Sequence, residues 1–280
     1  MTSSTPQETL EALGIRTTHS PEPLSGGDIG QVWRVATPEG ALLVKHAAPE
    51  GLEAEADGLR ALREADTELV IPDIVGELSG ALVMTYLPPA RPNRQAQADF
   101  GRGLRALHAH TSSGHGWHRD NFAGTTPQIN TFHSDGRVFQ RECRLLPLAS
   151  KCLHKGAMDQ GLFDQLSSVA GALEDWLPDA PASLVHGDLW SGNVHFSTQG
   201  PALIDPAIYR HYPDADLALL ELFGRPNDAF YEAYWDGSAP DDWPRRRSLF
   251  QLYPLLNHLY MFGGSYHQGV RAAVAQLPAN

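Results

Sequence analysis

The feature that most constrains this chain is a pair of short apolar runs, each followed by polar residues at a fixed distance. Residues 184–185 (Leu-Val) are followed by Asp188 and, five residues later, by Asn193. Residues 202–204 (Ala-Leu-Ile) are followed at once by Asp205. Short apolar runs of this kind predict small buried strands. We therefore expect two strands that present two carboxylates and one amide near their ends.

The spacing of these polar groups matches what phosphoryl transfer from ATP requires. That chemistry uses one carboxylate to orient the acceptor hydroxyl, and an amide oxygen and a second carboxylate to hold magnesium. Kinase-like catalytic loops carry His-x-Asp, an Asn five residues later and a metal-binding Asp after a short strand. His186, Asp188, Asn193 and Asp205 fill all four positions. An ordinary polar loop would explain the residue types, but the combined spacing favours catalysis.

A second kinase-like tripeptide, residues 118–120 (His-Arg-Asp), lacks the rest of the pattern. Thr125 stands where a metal-binding Asn is needed, and no apolar strand precedes the next Asp-Gly pair at 135–136. We therefore interpret residues 118–120 as a charged loop without a catalytic role.

Length, charge and composition narrow the class of protein. The chain has 280 residues, enough for two lobes, and a formal net charge of -12 that argues against a nucleic-acid polymer as partner. The N-terminus lacks the pattern of a secretory signal, and no apolar run approaches the ~18 residues of a membrane span. Cys143 and Cys152 have neither disulfide nor metal-site spacing. We expect a cytoplasmic protein that does not use a membrane as partner.

The predicted elements divide the chain into two parts. Residues 1–87 carry three strand candidates, one helix and two further strands, which together describe a small antiparallel sheet with one helix. Prolines within residues 85–92 indicate a linker. Residues 88–280 are mainly helical, with candidate helices at 95–110, 163–177, 217–235 and 246–276, and with an irregular stretch at 114–130. The predicted fold class is α+β, with an N-terminal ATP-binding lobe and a C-terminal catalytic and substrate-binding lobe.

The N-terminal part also supplies groups that suit nucleotide phosphates. Gly26, Gly27 and Gly30 allow backbone amides to approach anionic oxygens closely. The segment 84–87 would connect the lobes, and its backbone groups would suit the edge of an adenine ring.

Lys45 ends an apolar strand and precedes a helix that carries Glu53 and Glu55. In a kinase lobe such a lysine contacts the α- and β-phosphates and pairs with a carboxylate of the helix. The neighbouring apolar positions favour Glu55 as this partner.

Together these segments resemble the fructosamine kinase family, also called ketosamine-3-kinases, which are distant relatives of aminoglycoside phosphotransferases and protein kinases. Trp190 favours this family, because generic aminoglycoside kinases seldom have Leu-Trp-Ser-Gly-Asn at that place. The resemblance extends from Gly26 to about Gly269 and is carried by residues 120–122, 126–128, 184–193, 203–209, 217–224, 231–234 and 251–259.

The resemblance implies a protein kinase-like bilobal fold. It also implies that the protein uses ATP and Mg²⁺ to phosphorylate O3 in the ketose part of a fructosamine or related ketosamine. Such a reaction would suit deglycation repair. The resemblance further implies that Asp188 is the catalytic base, that Asn193 and Asp205 are magnesium ligands, and that Asp216 braces the catalytic loop. The residues implied for nucleotide binding are Gly26, Gly27, Asp28, Ile29, Lys45, Glu55, Thr85, Tyr86 and Leu87.

The acceptor side of the site is less constrained. Trp190, Trp117, Asn121 and Phe122 are the candidates for lining the acceptor pocket. A kinase for another hydroxylated acceptor, such as an aminoglycoside or amino sugar, would use the same polar residues as a ketosamine kinase. A nucleotide-binding pseudokinase scaffold would not need the complete set. A small sugar-amine and a glycated protein lysine both stay open as acceptors.

Asp28 is a departure from the family pattern. Many members carry a cysteine in the glycine-rich loop that serves redox control or disulfide-linked dimers, whereas this chain reads Gly-Gly-Asp-Ile-Gly. We therefore expect no disulfide dimer through this loop. The sequence leaves the oligomeric state open.

Overall fold

The N-terminal part of the chain is an antiparallel sheet, seen in a computed structural model that describes residues 5–24 and 30–277. Its elements are α1 (Pro6–Ala12), β1 (Glu22–Pro23), β2 (Gln31–Thr37), β3 (Gly40–His46), α2 (Pro49–Glu64), β4 (Ile74–Leu78) and β5 (Ala81–Thr85). The strands form one sheet in the order β1-β2-β3-β5-β4. The predicted succession of three strands, a helix and two strands is confirmed.

Each face of this sheet is covered by a helix. Successive side chains of a strand point to opposite faces, so neighbouring residues of β5 contact different helices. Leu82 and Met84 of β5 pack with the apolar side of α2, which includes Leu59. Val83, between them, belongs to a different cluster that contains Leu10 of α1. The sheet is therefore a rigid support from which β3 and α2 can present polar side chains.

The remainder of the chain is mainly helical and contains the largest core. Phe100 and Phe230, whose ring centroids are 4.8 Å apart, lie within this core. No helix in the described part of the chain is long and apolar enough to cross a bilayer. The helices are α3 (Arg94–His108), α4 (Gly136–Phe139), α5 (Leu146–His154), α6 (Gln160–Gly171), α7 (Asp214–Leu222), α8 (Asp228–Trp235), α9 (Trp243–Phe262) and α10 (His267–Ala275).

Short strands carry the predicted catalytic segment. They are β6 (Thr111–Ser112), β7 (Asn121–Ala123), β8 (Thr126–Gln128), β9 (Ala182–Val185), β10 (Val194–Ser197), β11 (Gly200–Leu203) and β12 (Tyr209–His211). β9 lies between β6 and β12, while β10 and β11 form a hairpin. Val70, between α2 and β4, exchanges backbone hydrogen bonds with Pro201 and Leu203 of β11. This pairing joins the sheet to the strand that precedes Asp205.

The structure differs from the predicted elements in several places, one of which is the helix expected over 163–177, where α6 ends at Gly171. A single helix was expected over 217–235, but the chain forms α7 and α8, because Gly224 has φ +149° and Pro226 cannot continue a helix. The irregular stretch 114–130 contains the β7–β8 hairpin, turning at Gly124 with φ +64°.

Candidate active site

The loop that carries Asp188 is fixed by the buried side chain of His186. Its Nε2 donates to the carbonyl of Ile204 at 2.9 Å, and its Nδ1 accepts from the backbone N–H of Asp188 at 3.3 Å. Burial lowers the pKa of His186, so the neutral ring with one donor and one acceptor suits both contacts. His186 therefore links the segment after β9 to the segment after β11.

Gly187 lets this loop pass close to a neighbouring strand end. It has φ +83°, and a Cβ at this position would lie 2.0 Å from the carbonyl oxygen of Ala207. Both the backbone conformation and the close approach require glycine.

Asp216, in the first turn of α7, holds the same loop from the other side. Its fully buried carboxylate accepts the backbone N–H of His186 at 2.7 Å and that of Gly187 at 2.9 Å. His108 Nε2 lies 3.1 Å from the same carboxylate. Through these contacts the Asp216 carboxylate holds the backbone of the loop that carries Asp188 in position.

Asn193 connects Asp188 to the segment that follows. Its amide nitrogen donates to the backbone carbonyl of Asp188 at 2.7 Å and to the Asp188 carboxylate at 3.3 Å. Within the described residues, no hydrogen bond occupies the Oδ1 atom of Asn193. This atom is therefore the one that Asn193 can offer to a cation.

Lys45 joins the two halves of the site. Its Nζ lies 2.7 Å from Glu55 on α2 and 2.8 Å from Asp205, which follows β11. Glu53 instead faces Arg119 at 3.5 Å and is largely exposed. Asp205 has φ +53°, in a region that residues other than glycine seldom adopt. The β3 lysine is thus held between carboxylates from α2 and from the segment after β11.

The ionisable groups around Lys45 and Asp188 have displaced pKa values. Burial opposes the charge of Lys45, but Glu55 and Asp205 outweigh it and raise the pKa of this amine. Burial raises the pKa of Glu55 to about 8, and the charge of Asp205 acts in the same direction. Burial, followed by the charge of Asp205, raises the pKa of Asp188 to about 7. Two carboxylates therefore contact one ammonium group, and a cation beside Asp188 would favour its ionised form.

The segment between the sheet and the helices has specific backbone partners. Tyr86 N–H donates to the Ala41 carbonyl at 3.2 Å, and the Leu87 carbonyl accepts from His195 Nε2 at 2.9 Å. Thr85 N–H donates to a neighbouring loop carbonyl at 2.9 Å. The Leu87 N–H has no hydrogen-bond partner among the described residues, although Leu87 is buried. His195, close to Asp188 in sequence, acts here as a support for the linker.

Four predicted nucleotide-binding residues, Gly26, Gly27, Asp28 and Ile29, lie outside the described residues. The other predicted nucleotide residues, Lys45, Glu55 and the segment 85–87, lie in the described sheet, in its helix and in the linker.

A cleft opens beside Asp188, between the catalytic loop and the helices of the C-terminal part. Its walls come from β12, α7, α9 and the helical segment 136–154. The residues that line it are Ala123, Gln140, Arg144, Gly187, Asp188, Tyr209, Ala215, Leu219, Phe250, Tyr253, Pro254, Asn257 and His258.

The predicted acceptor residues do not line this cleft. Trp117 donates its indole N–H to Asp57 at 2.7 Å. Asn121 is buried, with its amide nitrogen on the Ile208 carbonyl and its oxygen on Gln128, both at 2.8 Å. Phe122 lies beside it in β7, and Trp190 is 38% exposed. The structure therefore places Asn121 as a structural group of the hairpin and Trp190 on the surface beside the catalytic loop.

The second kinase-like tripeptide lies away from Asp188. His118 faces Asp57 at 3.3 Å, Arg119 faces Glu53, and Asp120 accepts the backbone N–H of Asn130 at 2.8 Å. These residues hold a loop against α2.

Sequence reasoning missed the polar residues of the cleft, chiefly Gln140, Arg144 and Asn257. One signal was present, because Pro254 interrupts an otherwise helical stretch next to Asn257. A proline within a helix leaves the carbonyl four residues earlier without its usual partner. Irregular helices of this kind are frequent at functional sites.

The overall fold is shared with distant phosphotransferases. A solved aminoglycoside phosphotransferase, APH(2")-IIa in a complex with streptomycin and ATP, superposes with a TM-score of 0.64 at 15% identity, covering 99% of this chain and 98% of that chain. The predicted kinase-like fold class is confirmed.

Closer relatives are similar in sequence along most of the chain. A Vibrio vulnificus protein named "probable ketoamine kinase" is 31% identical over 265 residues, which cover 91% of each chain. A chloroplastic protein-ribulosamine 3-kinase from Arabidopsis thaliana is 33% identical over 264 residues, covering 90% of this chain and 80% of the relative. A solved Thermobifida fusca structure, described as a fructosamine-3-kinase, has a TM-score of 0.89 at 29% identity and 98% coverage of both chains. The sequence profile of the fructosamine kinase family matches residues 1–280, and the chain therefore belongs to this family.

Proposed function

We propose that the protein is an ATP-dependent kinase that phosphorylates a hydroxyl group of ketosamines, at O3 of the ketose. The observation that carries this proposal is the position of Lys45, which lies within 2.8 Å of both Glu55 and Asp205, on the two halves of the molecule. Asn193 and Asp188 are joined by hydrogen bonds on the same catalytic segment. Phosphoryl transfer needs this set of groups to be held in place.

Asp188 is the proposed base. Its carboxylate would accept a hydrogen bond from the acceptor hydroxyl and align its oxygen with the γ-phosphorus. The hydroxyl proton would pass to this carboxylate as the new oxygen–phosphorus bond forms and the bond between the γ-phosphorus and the β–γ bridging oxygen breaks, which releases ADP. Asn193 holds the carboxylate by its amide nitrogen, and His186 and Asp216 hold the backbone behind it. Most of the rate enhancement would come from such positioning.

Magnesium fits the donor set beside Asp188. The Asp205 carboxylate and the Oδ1 atom of Asn193 are hard oxygen donors, and Mg²⁺ is bound in such enzymes by one or two protein oxygens together with substrate phosphates. A cation there would also favour the ionised form of Asp188, whose pKa is raised by burial and by the charge of Asp205. When bound, the ion would supply neutralisation of charge on the β- and γ-phosphates.

The nucleotide would lie between the sheet and the helical part. Lys45 would exchange its contact with Asp205 for the α- and β-phosphates while Glu55 keeps it in place. The Leu87 N–H, which lacks a partner among the described residues, is the proposed donor to the adenine edge. In this proposal residues 1–87 are the ATP-binding lobe, and residues 88–280 carry the base and the acceptor site.

The relatives support a sugar-amine as acceptor. Their names refer to ketoamines, ribulosamines and fructosamines. The cleft beside Asp188 carries polar groups that suit a polyhydroxylated molecule. The acceptor class therefore includes free ketosamines and ketosamines attached to a protein lysine.

A panel assay tests this proposal. Purified protein is incubated with MgATP and ketosamines, aminoglycosides or simple hexoses, and products are analysed by mass spectrometry. We expect one added phosphoryl group on the ketosamines, at O3, and loss of this product with Asp188→Asn. Phosphorylation of an aminoglycoside with none on any ketosamine would reject the acceptor class. Nucleotide binding without turnover on any acceptor would support a scaffold instead.

A further inference from the structure

Three residues of the cleft carry buried polar atoms that have no hydrogen-bond partner in the described part of the chain. They are the Nε2 atom of Gln140, the Nε atom of Arg144 and the Oδ1 atom of Asn257. The residues are 1%, 1% and 6% exposed, so bulk water is largely excluded from them. A buried polar group without a partner is costly. All three residues line the same cleft, so one ligand bound there would supply the missing partners.

The other contacts of these side chains hold them in position. One end of the Gln140 amide meets His211 Nε2 at 2.9 Å, and the Asn257 nitrogen donates to the Ala123 carbonyl at 3.1 Å. Arg144 NH2 donates to Asn130 at 2.7 Å, while its NH1 bonds backbone carbonyls. Each side chain is therefore anchored by some of its polar atoms and leaves another polar atom free.

The local helix geometry brings these groups to the cleft. Gln140 and Arg144 lie within a π-helical turn, Gln140–Leu145, between α4 and α5. Asn257 follows Pro254 in α9, which forms another wall of the cleft. Both walls thus depart from a regular α-helix where they face Asp188, as helices often do at binding sites.

Arg144 makes its end of the cleft cationic. Among the described residues it forms no ion pair, and its guanidinium lies 4.1 Å from the Tyr209 ring centroid and 4.5 Å from that of Phe139. A buried guanidinium repels an ammonium group but donates hydrogen bonds to neutral hydroxyl oxygens. The amine of a ketosamine should therefore avoid this end of the cleft.

We propose that Gln140, Arg144 and Asn257 bind the hydroxyl-bearing end of the acceptor, beyond the reacting O3, and that the amine end points out of the cleft. This inference rests on the proposed function. The same orientation admits an amine substituent of any length, including a protein lysine. The three side chains are thus specificity-determining residues for the carbohydrate part of the acceptor.

The first test separates acceptor binding from nucleotide binding. Gln140→Met and Asn257→Leu keep side-chain volume but remove the free polar atoms, together with the anchoring hydrogen bonds to His211 and Ala123. We expect each to raise the KM for a ketosamine about tenfold, with the KM for ATP unchanged. Gln97→Met is the matched control, because Gln97 also has a buried, unpartnered amide oxygen but lies on α3 outside the cleft. It should leave both KM values unchanged.

The second test uses the wild-type protein and therefore does not depend on folding of a variant. Ketosamines lacking a single hydroxyl at C4, C5 or C6 should lose about tenfold in kcat/KM for at least one position. That loss should shrink in Asn257→Leu or Gln140→Met, while longer N-alkyl chains should leave wild-type kcat/KM within about twofold.

The outcomes distinguish the two proposals. Equal activity on all deoxy acceptors, identical losses in wild type and variants, or exclusion of long N-alkyl chains would overturn the subsite. A wild-type protein that phosphorylates no ketosamine would instead contradict the proposed function from which the subsite was inferred.

Discussion

Lys45 is the residue at which the two halves of the proposed site meet. Its side chain has 12% exposure, and its amine lies between Glu55 and Asp205. Removing it would leave two nearby carboxylates without their cation and the phosphates without a positive partner. The Lys45 amine thus forms ion pairs with carboxylates from α2 and from the segment after β11, and nucleotide binding should depend on this side chain.

Lys45→Met should lower kcat/KM for ATP by about 10²–10³-fold, the range found when a single charge-stabilising donor is removed from an active site. Steady-state kinetics at varied ATP would measure this loss. Lys151→Met, on α5, is the control and should keep wild-type kinetics. An unchanged kcat/KM in Lys45→Met would show that Lys45 does not contact the nucleotide.

The protonation of Asp188 predicts how activity depends on pH. Burial and the charge of Asp205 raise its pKa to about 7, and only the ionised form can accept the hydroxyl proton. Bound magnesium would favour the ionised form. With MgATP saturating, the pKa of Asp188 should therefore lie below about 7. At pH values below that pKa, kcat/KM for the acceptor should fall about tenfold per pH unit. A flat profile between pH 8 and 4 would argue against Asp188 as the base.

The catalytic loop is an element whose path is set by a glycine. Gly187 has φ +83°, and a Cβ on this residue would lie 2.0 Å from the Ala207 carbonyl oxygen. Gly156 has a similar φ of +72°, but a Cβ there would have no atom within 4 Å. A comparison of alanine substitutions at the two glycines therefore distinguishes the cost of the left-handed backbone conformation from the cost of the steric overlap at Gly187.

Gly187→Ala should destabilise the fold by roughly 2–4 kcal/mol and abolish most activity, because the loop must move. Gly156→Ala should cost only about 1–2 kcal/mol, from its left-handed conformation, and keep activity. Denaturant unfolding and turnover of both variants would check this. Equal stability and activity in the two variants would mean that the close approach at Gly187 is unimportant.

The elements also show what could be predicted from sequence. The order of three strands, one helix and two strands within residues 1–87 was predicted from the apolar pattern and is the order in the structure. The π-helical turn at Gln140–Leu145 breaks the 3.6-residue period, so its role in a cleft wall was not visible. The contacts of Asn121 with Ile208 and Gln128 depend on tertiary packing and could not be predicted from the sequence, and its role toward an acceptor stays a prediction.

Several contacts join the two parts of the whole molecule, among them those of residues 117–119 with α2. The contact between Lys45 and Asp205 and the backbone pairing of Val70 with β11 connect the sheet to the catalytic strands. A ligand that bridges both parts should therefore stabilise the entire fold.

A non-hydrolysable ATP analogue with Mg²⁺, at 100 times its Kd, should stabilise the protein by about 2.7 kcal/mol. Thermal unfolding with and without the analogue would measure the increase in Tm. The increase should be smaller without Mg²⁺ and in Asp205→Asn. No shift at any analogue concentration would contradict nucleotide binding between the two parts.

The most direct measurement of the central claim is a crystal structure with Mg²⁺ and a non-hydrolysable ATP analogue. We predict a magnesium ion about 2.0–2.1 Å from an Asp205 carboxylate oxygen and from Asn193 Oδ1, with the Lys45 amine on the α- and β-phosphates and Asp188 facing the γ-phosphate. A metal–nucleotide complex bound elsewhere, or bound without Asn193 and Asp205, would contradict it.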